Sequence, residues 1–142
     1  MTLDRAAIEQ RLPHAGAMCL LDAVQQWDAT DIKCVAAAPG AEHPLARGGA
    51  VPAVAAAEYA AQATAMHGAL LGGGRAPAGL LAKLSDVALH ARYIPADGGP
   101  LAVHARLLGR SASGCLYDFA VDCAQRPIAR GRLMVAFTAP AE

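Results

Sequence analysis

The sequence predicts an α+β fold: one domain over residues 1–142, with an antiparallel β-sheet wrapped around one long central apolar helix. Three observations carry that prediction. Between residues 51 and 71 the only charged residue is Glu58, and Gln62 and His67 are the other strongly polar ones. A helix there is apolar nearly all round and belongs inside the molecule. The triplet Gly72-Gly73-Gly74 stops it. Downstream, strand-like runs follow one another with short links, which makes an antiparallel sheet. Such a helix and such a sheet satisfy each other if the sheet curls around the helix.

Each element has its own signal. Residues 4–12 have helical spacing, with Ile8 and Leu12 on one face and Pro13 as the stop. Residues 18–24 read as a strand, 28–31 as a turn, and 32–38 as a second strand ending at Pro39-Gly40. The prolines and glycines of 39–50 make a shaped loop. Pro52 stands where a first-turn proline is tolerated, and the central helix runs over 53–71. Further strands are expected at 79–93, 101–109, 115–123 and 128–137, parted by turns at 95–100, 111–114 and 124–127. Alternation is clearest in the later ones. Leu101, Val103, Ala105 and Leu107 oppose His104 and Arg106, while Leu133, Val135 and Phe137 oppose Arg130 and Arg132. This order of elements is that of a hotdog fold.

Composition narrows the function. With 12 basic and 12 acidic residues the chain is neutral, and no run of like charge stands out, which argues against a nucleic-acid partner. Charged residues are 17% of the chain, against about 25% in an average soluble domain. So weakly charged a surface suits partial burial in an oligomer. Cys19, Cys34, Cys115 and Cys123 show neither a CxxC pair nor zinc-ligand spacing and read as buried, reduced thiols. The charges at Asp4, Arg5, Glu9 and Arg11 do not suit the apolar core of a signal peptide, and with the thiols they point to the cytoplasm. Pro52, Glu58 and the glycine stop argue against a membrane span over 51–71, since a central carboxylate costs about 2.5 kcal/mol or more on insertion. No GxSxG elbow, phosphate loop or paired-histidine metal motif is present.

Glu58 is the outlier among the candidates. A carboxylate early in a buried helix must be neutral, paired or facing a cavity, and burial favours the neutral form that a general acid needs. Gln62, one turn on, is placed to orient it; an ion pair with an arginine such as Arg47, or simple exposure at a helix edge, is the structural alternative. His43 belongs to the loop that feeds the helix, whose first turn offers free N–H groups to a carbonyl oxygen. His67, His90 and His104 read as structural. Arg75, Arg92, Arg106 and Arg110 are candidates for an acidic carrier or a nucleotide phosphate, and equally for plain solvated arginines.

Two segments carry a resemblance. IEQRLPHAGAMCLLDAV (8–24) resembles the opening of the FabZ/FabA-like 3-hydroxyacyl-acyl carrier protein dehydratases, with a Leu-Pro-His step, a leucine-rich strand and Asp. HPLARGGAVPAVAAAEYAAQA (43–63) resembles their central segment: a histidine loop, Pro52, then Glu58 followed by Ala61-Gln62. Within that superfamily the chain is most similar to the ApeP-like hotdog proteins associated with aryl polyene lipid synthesis.

The resemblance implies a homodimer, or a heterodimer with a related dehydratase, acting on acyl carrier protein or coenzyme A thioesters without a cofactor. It implies His43 as the base that takes the α-proton and Glu58 as the acid that protonates the leaving hydroxyl. An amide of Ala53 or a near neighbour, just after Pro52, would polarise the thioester carbonyl, with Gln62 in support. Counting back from Glu58, however, the family's histidine slot falls on Pro44, one residue after His43, and its glycine after the proline is Ala53. Either a bulge at Gly48-Gly49 restores the geometry or the histidine is displaced. Two other functions remain open. One is a hotdog thioesterase using Glu58 to activate water; the other is a non-catalytic carrier-binding subunit.

Overall fold

A computed structural model of the chain describes residues 2–12, 16–96 and 98–138. Pro13 and His14, the expected helix stop and family histidine step, lie outside the described residues. Helix α1 (Arg5–Arg11) starts at Asp4, whose carboxylate accepts from the Ala7 N–H at 2.9 Å, and it buries Ile8. After it come β1 (Ala23–Trp27), β2 (Asp31–Ala36), the short β3 (Val51–Pro52) and α2 (Ala56–Gly72). Then follow β4 (Gly79–Leu89), the short β5 (Tyr93–Ile94), β6 (Leu101–Arg110), β7 (Gly114–Cys123) and β8 (Arg126–Phe137).

The long strands form one antiparallel sheet in the order β1-β2-β6-β7-β8-β4, and β3 pairs with β5 separately. Register places apolar residues opposite one another on the inner face. Ile32, Ala105 and Phe119 align across β2, β6 and β7, as do Cys34, Val103 and Val121. All six are buried, and full burial of each larger side chain stabilises by about 1.5–3 kcal/mol. The sheet holds α2 against β2, β6, β7 and β8. This is the hotdog architecture, with α2 as its core. Alanines at 56, 60 and 63 let the sheet approach closely, and Tyr59, Met66 and His67 fill the space between. Gly73, at φ 71°, closes α2 in the left-handed conformation that glycine adopts cheaply. Among the described residues no helix is long and apolar enough to cross a membrane.

The first strand departs from expectation. Residues 16–18 form a 3₁₀ turn and β1 begins only at Ala23. Side chains claim the intervening backbone. Arg5 donates to the carbonyls of Gly16 and Cys19, and Gln62 clamps the backbone at 18 and 20. Past an irregularity at Gln25, Gln26 and Trp27 join the ladder instead. In the 39–50 loop, Gly48 and Gly49 both have positive φ (62° and 85°) and turn the chain so that Arg47 and Ala50 pair. The expected strand 79–93 ends at Leu89, because Tyr93-Ile94 turns away to pair with Val51-Pro52. That small ladder fixes the entry of α2.

Strand β4 pairs only with β8, so its other edge is open. Its Leu80, Val87 and Leu89 are exposed, Leu80 at 67%. A long apolar edge of this kind is a pairing surface.

Candidate active site

One stripe of α2 is left uncovered by the sheet. Glu58, Ala61, Ala65 and Gly68 follow one another at helical spacing along it and line a cavity of about 450 Å³. The opposite wall is formed by Gly79, Leu80 and Leu81 of β4, with Val135 and Phe137 of β8. The volume lies within the range of about 300–1,000 Å³ typical of small-molecule sites. Of the expected surroundings the structure shows exposure, not burial: the Glu58 side chain is exposed in the single chain. Its stripe faces the gap between α2 and β4 instead of the sheet. Arg47 does not pair with it; the Arg47 guanidinium donates to the carbonyls of Pro44 and Ala46. Among the described residues Glu58 has no ion-pair partner.

The other expected site residues are placed differently. Gln62 is buried; its Oε1 accepts from the Leu20 N–H (2.8 Å) and its Nε2 donates to the Met18 carbonyl (2.6 Å). It borders the cavity, but its amide is a clamp between α2 and the 18–20 segment. Pro52 caps the 3₁₀ turn Ala53–Ala55 that leads into α2. The Ala53 N–H donates to the Arg92 carbonyl at 2.9 Å, and the next amide of the turn is that of Val54.

His43 stacks on Tyr59 with ring centroids 6.0 Å apart, in a separate pocket with Asp22 and Pro44. Its Nδ1 accepts from the Leu45 N–H at 3.1 Å. The neutral ring therefore carries its proton on Nε2, which donates to the Tyr59 hydroxyl at 3.2 Å. Burial holds the His43 pKa below the ordinary histidine value and keeps it in this neutral form. Both nitrogens are thus engaged within the subunit. No histidine lines the Glu58 cavity among the described residues.

The whole arrangement has relatives. A family model described as ApeP-like, ApeP dehydratase, matches residues 6–141. The chain belongs to the ApeP-like dehydratase family. No curated protein matches it significantly. Among solved structures it is similar to the dehydratase heterocomplex ApeI:P from Xenorhabdus doucetiae, with TM-score 0.79 at 19% identity over 93% of this chain and 91% of that one. It is also similar to AziG of S. sahachiroi, with TM-score 0.60 at 14% identity over 82% and 90% of the two chains. A hypothetical thioesterase of Streptococcus pneumoniae TIGR4, solved with coenzyme A, gives 0.57 at 10% identity over 84% and 87%. At these identities the likeness is one of fold.

In this ApeP-like chain two further histidines, His67 and His104, are held by hydrogen bonds. His67 is fully buried: its Nε2–H donates to the Asp28 carbonyl (2.7 Å) and its Nδ1 accepts from the Tyr117 hydroxyl (2.6 Å). His104 is hydrogen-bonded to Asp31 at 2.7 Å. The cysteines are all buried, and desolvation pushes the Cys34 thiol up to about 12. Two cavity residues were not singled out as site candidates on their own. Thr64 lines the cavity with a buried hydroxyl that has no hydrogen-bond partner among the described residues, and Arg110 stands at the cavity's far end. A lone hydroxyl at 64, two residues after Gln62 in an alanine helix, was the available signal for Thr64.

Proposed function

We propose that this ApeP-like chain takes part in the dehydration of 3-hydroxyacyl thioesters, carried on an acyl carrier protein or coenzyme A, as one subunit of a paired hotdog assembly. The observation that carries the reading is the unpaired Glu58 carboxyl on an elongated cavity along α2, next to an open β4 edge. In the reaction a base removes the α-proton at C2, the electron pair forms the C2=C3 double bond, and the C3–O bond breaks. Glu58 donates a proton to the departing hydroxyl, which leaves as water. The Val54 N–H polarises the thioester carbonyl as charge builds on its oxygen. One proton passed from base to carboxylate through solvent resets the pair.

The base comes from the partner. His43 has its lone pair on Nδ1 engaged by the Leu45 amide, so it serves its own subunit as a loop anchor. A heteromeric pair, the kind of assembly named for the ApeI:P neighbour, would bring that base from a second, different subunit. The β4 edge is where such a subunit adds its strand. A second reading is favoured by the same carboxylate standing without a histidine: a thioesterase in which Glu58 activates water.

The intact mass of a 3-hydroxyacyl carrier protein separates these readings. Incubation with the chain isolated together with its native partner is expected to remove one water, while the chain alone leaves the mass unchanged. Loss of the whole acyl group establishes the thioesterase instead, and dehydration by the chain alone overturns the need for a partner base.

A further inference from the structure

We infer that Arg110 is an anion-binding residue at the far end of the Glu58 cavity, so that the thioester taken there carries a negative charge remote from its reacting carbon. The inference rests on the thioester reading of the cavity and adds a recognition element to it. Arg110 is the last residue of β6 and lies against Gly68 of α2. Gly68 is on the same helical stripe as Glu58, ten residues and therefore about 15 Å further along the axis. The two ionisable groups thus mark opposite ends of one groove.

Three contacts hold the guanidinium where it is. A Cβ at position 68 would stand 2.7 Å from Nη1, so the guanidinium lies directly against the glycine. The Phe137 ring lies beneath it, with the guanidinium carbon 5.0 Å from the centroid. The Tyr117 hydroxyl is beside it, and that hydroxyl is itself fixed by donation to His67 Nδ1. What it lacks is a counter-ion. Arg5, Arg130 and Arg132 are paired with Asp22, Asp122 and Asp118, whereas no carboxylate pairs with Arg110 among the described residues. Arg110 is exposed, and an uncompensated cation on a cavity rim is available to an anion.

Thr64 supplies an independent observation. The residue is 1% exposed and lines the groove between Glu58 and Gly68, and its hydroxyl has no hydrogen-bond partner among the described residues. A buried hydroxyl left unpaired costs about 1–3 kcal/mol, which a ligand hydrogen bond recovers. The ligand therefore has a polar atom midway and a negative charge at its far end. Two parts of an acyl thioester have that chemistry: the amide-bearing phosphopantetheine arm with its phosphate, or an acyl chain that ends in a carboxylate.

Calorimetric titration of the protein in its native assembly tests the assignment with three unreactive thioether analogues. These are a neutral acyl-pantetheine, the same molecule with the pantetheine phosphate, and a neutral pantetheine with an acyl chain ending in carboxylate. One charged analogue is expected to bind about tenfold more tightly than the neutral one. Arg110→Met, which keeps a straight side chain over Phe137, erases that advantage. A gain with the phosphate assigns the pantetheine arm, and a gain with the carboxylate assigns the end of the acyl chain. Equal affinities in the unaltered protein, or an advantage that survives Arg110→Met, overturn the inference. Because the analogues do not react, a charge preference without any turnover on true substrates would overturn only the dehydratase reading.

Discussion

His43 and Glu58 differ in which of their atoms are free: both ring nitrogens of His43 are engaged, whereas Glu58 has no ion-pair partner among the described residues. Glu58 is also exposed, so its replacement is expected to leave the fold intact. His43 is the reverse: it anchors the 43–45 turn to Tyr59 through both nitrogens. Because burial lowers its affinity for a proton in the folded state, the stability it contributes is complete above the ordinary histidine pKa and is lost as the pH falls through the lower folded value. His43→Gln is therefore expected to flatten the acid side of the stability profile below about pH 6.5 while the native assembly keeps its turnover. Denaturant titrations across that range check this; an unchanged slope together with lost turnover would restore His43 as the base. The residue types themselves were legible in the sequence, since a carboxylate among alanines and a histidine before a proline both stand out. Their hydrogen bonds were not, because Leu45 and Tyr59 meet His43 only once the Gly48-Gly49 turn has brought the loop onto α2.

At the level of elements, the expected central helix and the order of strands are found. Periodicity of apolar residues is enough to place an element whose stability comes from one buried face. It failed at residues 18–22 because that segment is held by side chains from elsewhere. Gln62 and Arg5 reach it across separations that no local pattern reveals. Gln62→Ala leaves the Leu20 N–H buried without a partner and is expected to cost about 1–3 kcal/mol of stability. A shift in the midpoint of urea unfolding at constant slope would show it, whereas no shift would mean that the clamp does not hold the 18–20 segment. The end of β4 was likewise hidden, since its partner ladder, Val51-Pro52 with Tyr93-Ile94, joins segments forty residues apart in the chain.

At the scale of the whole molecule, the hotdog wraps only part of its helix. The sheet leaves open both the Glu58 stripe of α2 and the outer edge of β4, and the two lie on either side of one cavity. A low charge content hinted at burial in an oligomer, but which surface is used depends on strand order, and that is set by the whole fold. Leu80→Lys places a charge on the open edge at an exposed position. It is expected to leave the circular dichroism spectrum intact while releasing the chain from its assembly in size-exclusion chromatography, and turnover should fall with it. A charged variant that stays assembled would move the interface away from β4.

The central claim is that Glu58 is the group of this chain that acts on the thioester while His43 is not. It is tested most directly by the intact mass of a 3-hydroxyacyl carrier protein followed over time with native assemblies carrying the unaltered chain, His43→Gln or Glu58→Gln. The account predicts loss of one water with the first two and an unchanged carrier with Glu58→Gln, which should remain folded and assembled. Continued dehydration by the Glu58→Gln assembly would contradict it.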